Sequence, residues 1–208
     1  MQLSILIPAV PERWDVAKQL FTRLKNMCEG KDIEVLLFMD NRKRFCGAKM
    51  DALMNISNGK YFMFCHDDDD ILRIDEVYQA TFQDVDVITF KQLCINRNAE
   101  MTPYVVTFGL QNPNEINVSA ENPNVFTDCR RPPYHVCAWN RKFKSIPYNC
   151  EMYAAEDWDW VQRALVDAKT EIFLDLIVCK YNWMPENTPV TTSNQNNYKT
   201  PFSFIRRN

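Results

Sequence analysis

The chain has 208 residues, 46% of them apolar, which is enough for one globular domain with a core of its own. A formal net charge of −3 excludes a global field that would draw the protein onto nucleic acid or a membrane surface. The four glycines, Gly30, Gly47, Gly59 and Gly109, exclude a glycine-rich phosphate loop of the Walker or dinucleotide type, so any nucleotide would be held by carboxylates, a cation and side chains.

The elements follow in chain order. Leu3 to Pro8 is an apolar run closed by proline and reads as a buried strand. Residues 12–28 then place Trp14, Ala17, Leu20, Phe21 and Leu24 at helical spacing, with Gly30 as the stop. Residues 33–39 form a second buried strand ending in Asp40 and Asn41, and a second helix covers 47–56 before Ser57, Asn58 and Gly59. Tyr61 to Cys65 is a third strand that runs straight into His66 and four aspartates, Asp67 to Asp70. A third helix over 72–82 and a fourth strand over 85–90 complete the first half.

Strands alternating with helices over ninety residues imply right-handed crossovers and a parallel sheet. Ligands collect beyond the carboxyl ends of such strands. Those ends carry Glu12 and Arg13, Asp40 and Asn41, and His66 to Asp70, which predicts a single crevice.

In the second half, residues 104–110 alternate as an antiparallel strand would, and 111–133 read as loop with short strands. A helix opens at Ala155 or Glu156 and runs to about Ala168, followed by a strand at 171–179. Residues 1–97 are thus expected to be the donor-binding half, 98–184 the acceptor-binding and catalytic half of the same domain, and 185–208 a polar tail.

The eight cysteines include no CxxC pair, which argues against a structural zinc site. No basic-then-apolar leader is read at the start, and no apolar run approaches the ~20 residues that span a bilayer. The expectation is a cytoplasmic protein with free, mostly buried thiols and no membrane insertion.

Four adjacent aspartates repel one another, and burying any of them without compensation is costly. A strand that delivers them to a sheet edge therefore suggests a hard divalent cation, Mg2+ or Mn2+, whose shell diphosphate oxygens would complete. Helix capping before Leu72 explains one or two of these acids, not four. The second acidic centre is Glu156 and Asp157, followed by Trp158, Asp159 and Trp160, at a helix start. A carboxylate there can serve as a general base, typically worth ~10²–10⁴ in rate. Trp158 and Trp160 suit the face of a sugar, but they fall on different helix faces, which leaves at least one of them available to the core.

The sequence resembles family-2 glycosyltransferases over most of residues 2–183. The resemblance is carried by Ser4 to Pro8, by Phe38-Met39-Asp40-Asn41, by Gly47 to Leu53, by Asn58 to Asp70 as a strand with a DxD motif, and by Glu156-Asp157-Trp158. The combination looks closest to small stand-alone members found in phages and other viruses, which would act in the host cytoplasm. The resemblance implies a GT-A (Rossmann-like) α/β fold with a mixed, largely parallel central sheet and a smaller acceptor-side region. It also implies a nucleoside-diphosphate sugar donor, Mn2+ or Mg2+, and an inverting single displacement.

Carried onto this chain, the nucleotide-sugar-binding set is Pro8, Glu12, Arg13, Asp40, Lys49, Asp67 and Asp68. Asp40 would contact the base and Lys49 the diphosphate or ribose. The metal ligand is one of Asp68, Asp69 and Asp70, because His66 stands where the family's motif opens with aspartate. Asp157 would be the base, with Glu156 beside it, and Trp158, Trp160 and His135 would line the acceptor. Tyr181-Asn182-Trp183, after the last strand, would close the crevice, where related enzymes bring a late polar residue toward the metal.

The acceptor is expected to be a glycan, a small molecule or modified DNA. The last suits basic clusters with neighbouring aromatics at Arg42 to Phe45, Arg141 to Phe143 and Phe202 to Arg207. A nucleotidyltransferase of related fold would need glycines after the first strand, where this chain has Pro8 and Pro11. A non-enzymatic metal- or sugar-binding module would have no use for a second acidic centre.

Overall fold

The computed structural model describes residues 1–41, 43–96, 102–122, 125–152 and 154–183. The expected 185–208 tail and the Phe202 to Arg207 cluster lie outside these residues.

Strands β1 (Leu3–Ala9), β2 (Ile33–Met39) and β3 (Tyr61–Phe64) form a parallel trio with β1 in the middle. All seven residues of β1 are buried, as a strand covered on both faces requires. Helix α1 (Trp14–Met27) buries Ala17, Leu20 and Leu24 at i, i+3 and i+7 and leaves Trp14 half-exposed at its start. Past its end Gly30 adopts φ +73°, the left-handed conformation that glycine enters without strain. Helix α2 (Cys46–Ile56) packs back on β1. Gly59 is needed for a different reason: a Cβ there would lie 2.5 Å from Ser4 Oγ, which accepts the Gly59 N–H at 2.8 Å.

Beyond Asp67 the chain departs from expectation. Asp70–Ile71 is captured as a two-residue strand, β4, against β10 (Glu171–Trp183). The third helix, α3, therefore shrinks from 72–82 to Ile74–Ala80. Strand β5 (Val87–Asn96) outruns its expected end because it has partners on both sides, β10 in parallel and β9 and β6 antiparallel. Strand β6 (Tyr104–Phe108) matches the alternating pattern, and β7 (Glu115–Val118) and β8 (Phe126–Arg131) extend the sheet. A three-residue strand that sequence reading did not single out, β9 (Ala138–Asn140), joins β3 to β5 and so fuses both halves into one mixed sheet. Helix α4 spans Glu156–Asp167. No described helix is long and apolar enough to cross a membrane.

Trp160 corrects an expectation. It lies on α4 but is fully buried, 5.9 Å from the Phe62 ring, 5.3 Å from Trp139 and stacked at 5.3 Å on Tyr148, and its indole N–H donates to the Ile146 carbonyl at 2.8 Å. It is core, not acceptor wall. Replacing it with alanine removes a large side chain from a close-packed aromatic cluster. We expect W160A to lose about 3–5 kcal/mol of stability, read as a lower urea midpoint with an unchanged slope.

Candidate functional site

The carboxyl ends of β1, β2 and β3 lie side by side, but several of the expected donor contacts are consumed within the protein. Lys49 is 4% exposed; its ammonium donates to the Ala9 carbonyl at 3.0 Å and sits 3.5 Å from Asp40. Instead of reaching outward to a diphosphate or ribose, it ties the ends of β1 and β2 together. Asp40 also accepts the Arg44 N–H at 3.1 Å, which closes the loop after β2. Pro8 is buried in β1, and Glu12 is exposed in a 3-10 turn at Pro11–Arg13.

The four aspartates have four different environments. Asp67 is fully buried; it accepts the Val10 N–H at 2.9 Å and pairs with Arg13 at 2.6 Å. It is a brace between β3 and β1, which corrects its expected contact with the donor. Asp68 receives the other arm of Arg13 at 2.8 Å and is 18% exposed, so Arg13 bridges two acids. Asp70 belongs to β4 and forms an ion pair with Arg23 of α1.

That leaves Asp69. Its Oδ1 accepts the Asn182 backbone N–H at 2.9 Å, while the Asn182 side-chain amide donates to the Asp68 carbonyl at 2.9 Å. Burial raises the Asp69 carboxyl to about 7, since a desolvated carboxylate resists ionising. An acid strained in this way is what a divalent cation would relieve. No three His, Cys, Asp or Glu side chains among the described residues are gathered into a ready-made cage. The residues therefore fit a cation that takes one or two carboxylates and fills its shell from substrate phosphates and water, the usual habit of Mg2+.

The second acidic centre is held at the start of α4. Ala155 precedes α4 with φ 63°, a left-handed conformation that costs a non-glycine residue of order 1 kcal/mol and tends to mark functional sites. Asp157 is 23% exposed and accepts the Tyr134 hydroxyl on Oδ2 at 2.7 Å and the Trp158 N–H on Oδ1 at 2.7 Å. His135 Nδ1 lies 3.4 Å from the same Oδ2. This is not an ion pair at neutral pH, because burial pushes the imidazole down to about 3.

His135 therefore stands behind Asp157, 6% exposed, and does not form an acceptor wall. Its ring is 5.2 Å from that of His66, whose Nε2 is buried without a partner, so the two imidazoles bridge the aspartate loop and the α4 acid. Glu156 is buried beside Asp157, with its pKa raised by burial. Gly47 lets α2 approach, since a Cβ there would lie 3.1 Å from Glu156 Cβ. Trp158 is half-buried beside Asp157 and packs partly on the core, its ring 6.2 Å from Tyr134.

Sequence reading missed the anchoring role of Tyr134, which is 23 residues from Asp157 in the chain and carries no spacing signal. Of the basic clusters proposed for DNA, that at Arg141 to Phe143 is partly consumed within the protein: Phe143 is 2% exposed in the core and Lys142 is ion-paired with Asp86; Arg42 lies outside the described residues.

No family model matches the chain, and no curated protein matches it. Solved structures are similar. One is of S. aureus TarS 1–349, a glycosyltransferase, at TM-score 0.56 and 15% identity over 88% of this chain and 60% of that one. The same fragment in complex with UDP gives 0.55 and 14% over 90% and 62%, and in complex with UDP-GlcNAc 0.55 and 14% over 88% and 59%. The chain thus spans less than two thirds of those TarS chains. At this identity the likeness establishes the architecture: the protein has a GT-A-like α/β fold.

Proposed function

We propose that the protein transfers a sugar from a nucleoside-diphosphate sugar to an acceptor hydroxyl. The observation that carries this reading is the Asp157 carboxylate: partly exposed, oriented by Tyr134 and Trp158, and linked through the two imidazoles to the strained Asp69. The TarS complexes with UDP and UDP-GlcNAc make a uridine donor the first to test.

In this reading Asp157 takes the proton from the attacking hydroxyl. Its oxygens are already ordered by two hydrogen bonds, so little reorganisation is required. Trp158 offers its face to the acceptor or the transferred sugar. A single displacement with the base on the acceptor side inverts the anomeric centre. Asp69, with Asp68 beside it, would hold Mn2+ or Mg2+, which supplies charge neutralisation for a leaving diphosphate. Asn182, Arg13 and Asp67 keep the loop carrying these acids in place. The acceptor is a hydroxyl of a glycan, a small molecule or a hydroxymethylated base.

A thermal-shift screen of UDP-, GDP-, CMP- and dTDP-sugars with and without Mn2+ tests the class. One donor is expected to raise the melting temperature only with metal, through a stabilisation of about 2.7 kcal/mol at a hundredfold excess over Kd. Indifference to every donor overturns the reading. Metal binding that ignores nucleotide would favour a non-enzymatic module.

A further inference from the structure

We propose that Arg131 binds an oxyanion, phosphate or carboxylate, carried by the acceptor; the acceptor half of this statement rests on the transfer reading above. The argument begins with register. Strands β6 and β8 run parallel with Phe108 opposite Arg131, and residues paired in this way project to the same face of the sheet. The Phe108 ring stacks parallel to Tyr134 at 6.4 Å, and the Tyr134 hydroxyl donates to Asp157. Arg131 therefore stands on the face that carries the candidate base. Arg130, one residue back, points to the opposite face and is neutralised there by Asp128 at 2.9 Å.

Arg131 has no such relief. It is half-buried, its Nε is shielded from solvent without a hydrogen-bond partner, and no described carboxylate pairs with it. Buried groups within reach of its charge include Cys94, Cys129, Tyr104 and Tyr134, and burial raises all four, Cys94 to about 12 and Cys129 to about 11. A partly desolvated guanidinium with an unpartnered Nε and no described carboxylate in contact is costly unless an anion completes it. Its planar fork matches phosphate and carboxylate in a way that lysine does not. The donor's diphosphate already has candidate partners at the Asp69 cation site, whereas Arg131 stands on the face of the Asp157 base, so its charge is assigned to the acceptor.

Calorimetric titration with inorganic phosphate and with acetate, with and without saturating UDP and Mn2+, tests this. Binding of at least one oxyanion is expected, about tenfold weaker in R131Q, unchanged in R130Q and retained in the presence of UDP. If R131Q does not fold, R131K decides: it keeps the charge but loses the fork, and its affinity is expected to fall several-fold. The proposal is overturned if wild-type protein binds neither oxyanion, if the Arg131 variants bind as wild type does, or if UDP displaces the oxyanion, which would assign Arg131 to the donor. The two readings fail separately. A protein that ignores every activated sugar sinks the transfer reading whatever Arg131 binds, whereas one that takes a donor but no oxyanion sinks only this proposal.

Discussion

D157N is expected to lower the rate of sugar transfer about 10²–10⁴-fold while leaving donor affinity in the thermal-shift assay unchanged. Asparagine has the shape of aspartate and can still meet the Trp158 N–H and the Tyr134 hydroxyl, which both accepts and donates. What it cannot do is take a proton. The neighbouring imidazole does not confuse the result, because His135 is neutral through the working range and no buried ion pair is broken. Y134F sets the scale for orientation alone. It removes one hydrogen bond from Asp157 and is expected to reduce kcat by roughly tenfold with KM little changed. If D157N retains near-normal turnover, the base lies elsewhere.

Metal-dependent donor binding is expected to weaken steeply below neutral pH, about tenfold in apparent metal affinity per pH unit, because proton and cation compete for Asp69. The sign follows from the raised carboxyl, about 7 in the folded protein against an unperturbed value near 4. Between those values the folded state holds a proton that the unfolded chain has released. Metal-free stability therefore falls as the pH rises from about 4 to 7, and the penalty is complete above 7. D69N removes both the ligand and the strain. Its donor-induced thermal shift in Mn2+ is expected to vanish, while the metal-free variant is expected to melt higher than wild type at pH 8. A capping aspartate would show the opposite, so a variant less stable at pH 8 with its donor shift intact assigns the cation to Asp68 or removes it altogether.

Much of the frame was legible in the sequence because its signals are local. The limits of β2 were read without error, and those of β1, α1, α2, β3 and α4 within a residue or two, from apolar runs, helical spacing and glycine stops. That the polar ends of β1, β2 and β3 lie side by side follows from alternating strands and helices. The two acidic centres stood out because repeated carboxylates beside apolar elements need a physical reason. Strands β4 and β9 did not stand out; two and three residues long, they exist only because β10, β3 and β5 present unpaired edges to them.

By itself, then, the sequence determined the layered α/β frame and the two places where acidic groups gather. Only the tertiary structure decided what each acid does. Asp67, Asp68, Asp69 and Asp70 are chemically identical neighbours, yet one braces β1, one shares Arg13, one is strained against Asn182 and one pairs with Arg23. Likewise Trp158 and Trp160, two residues apart, differ in burial, one half-buried beside Tyr134 and the other wholly within the core. The reason is that charge and apolarity are properties of a residue, whereas desolvation and partnership depend on groups that arrive from elsewhere in the chain: Arg13 from 55 residues away and Asn182 from 113.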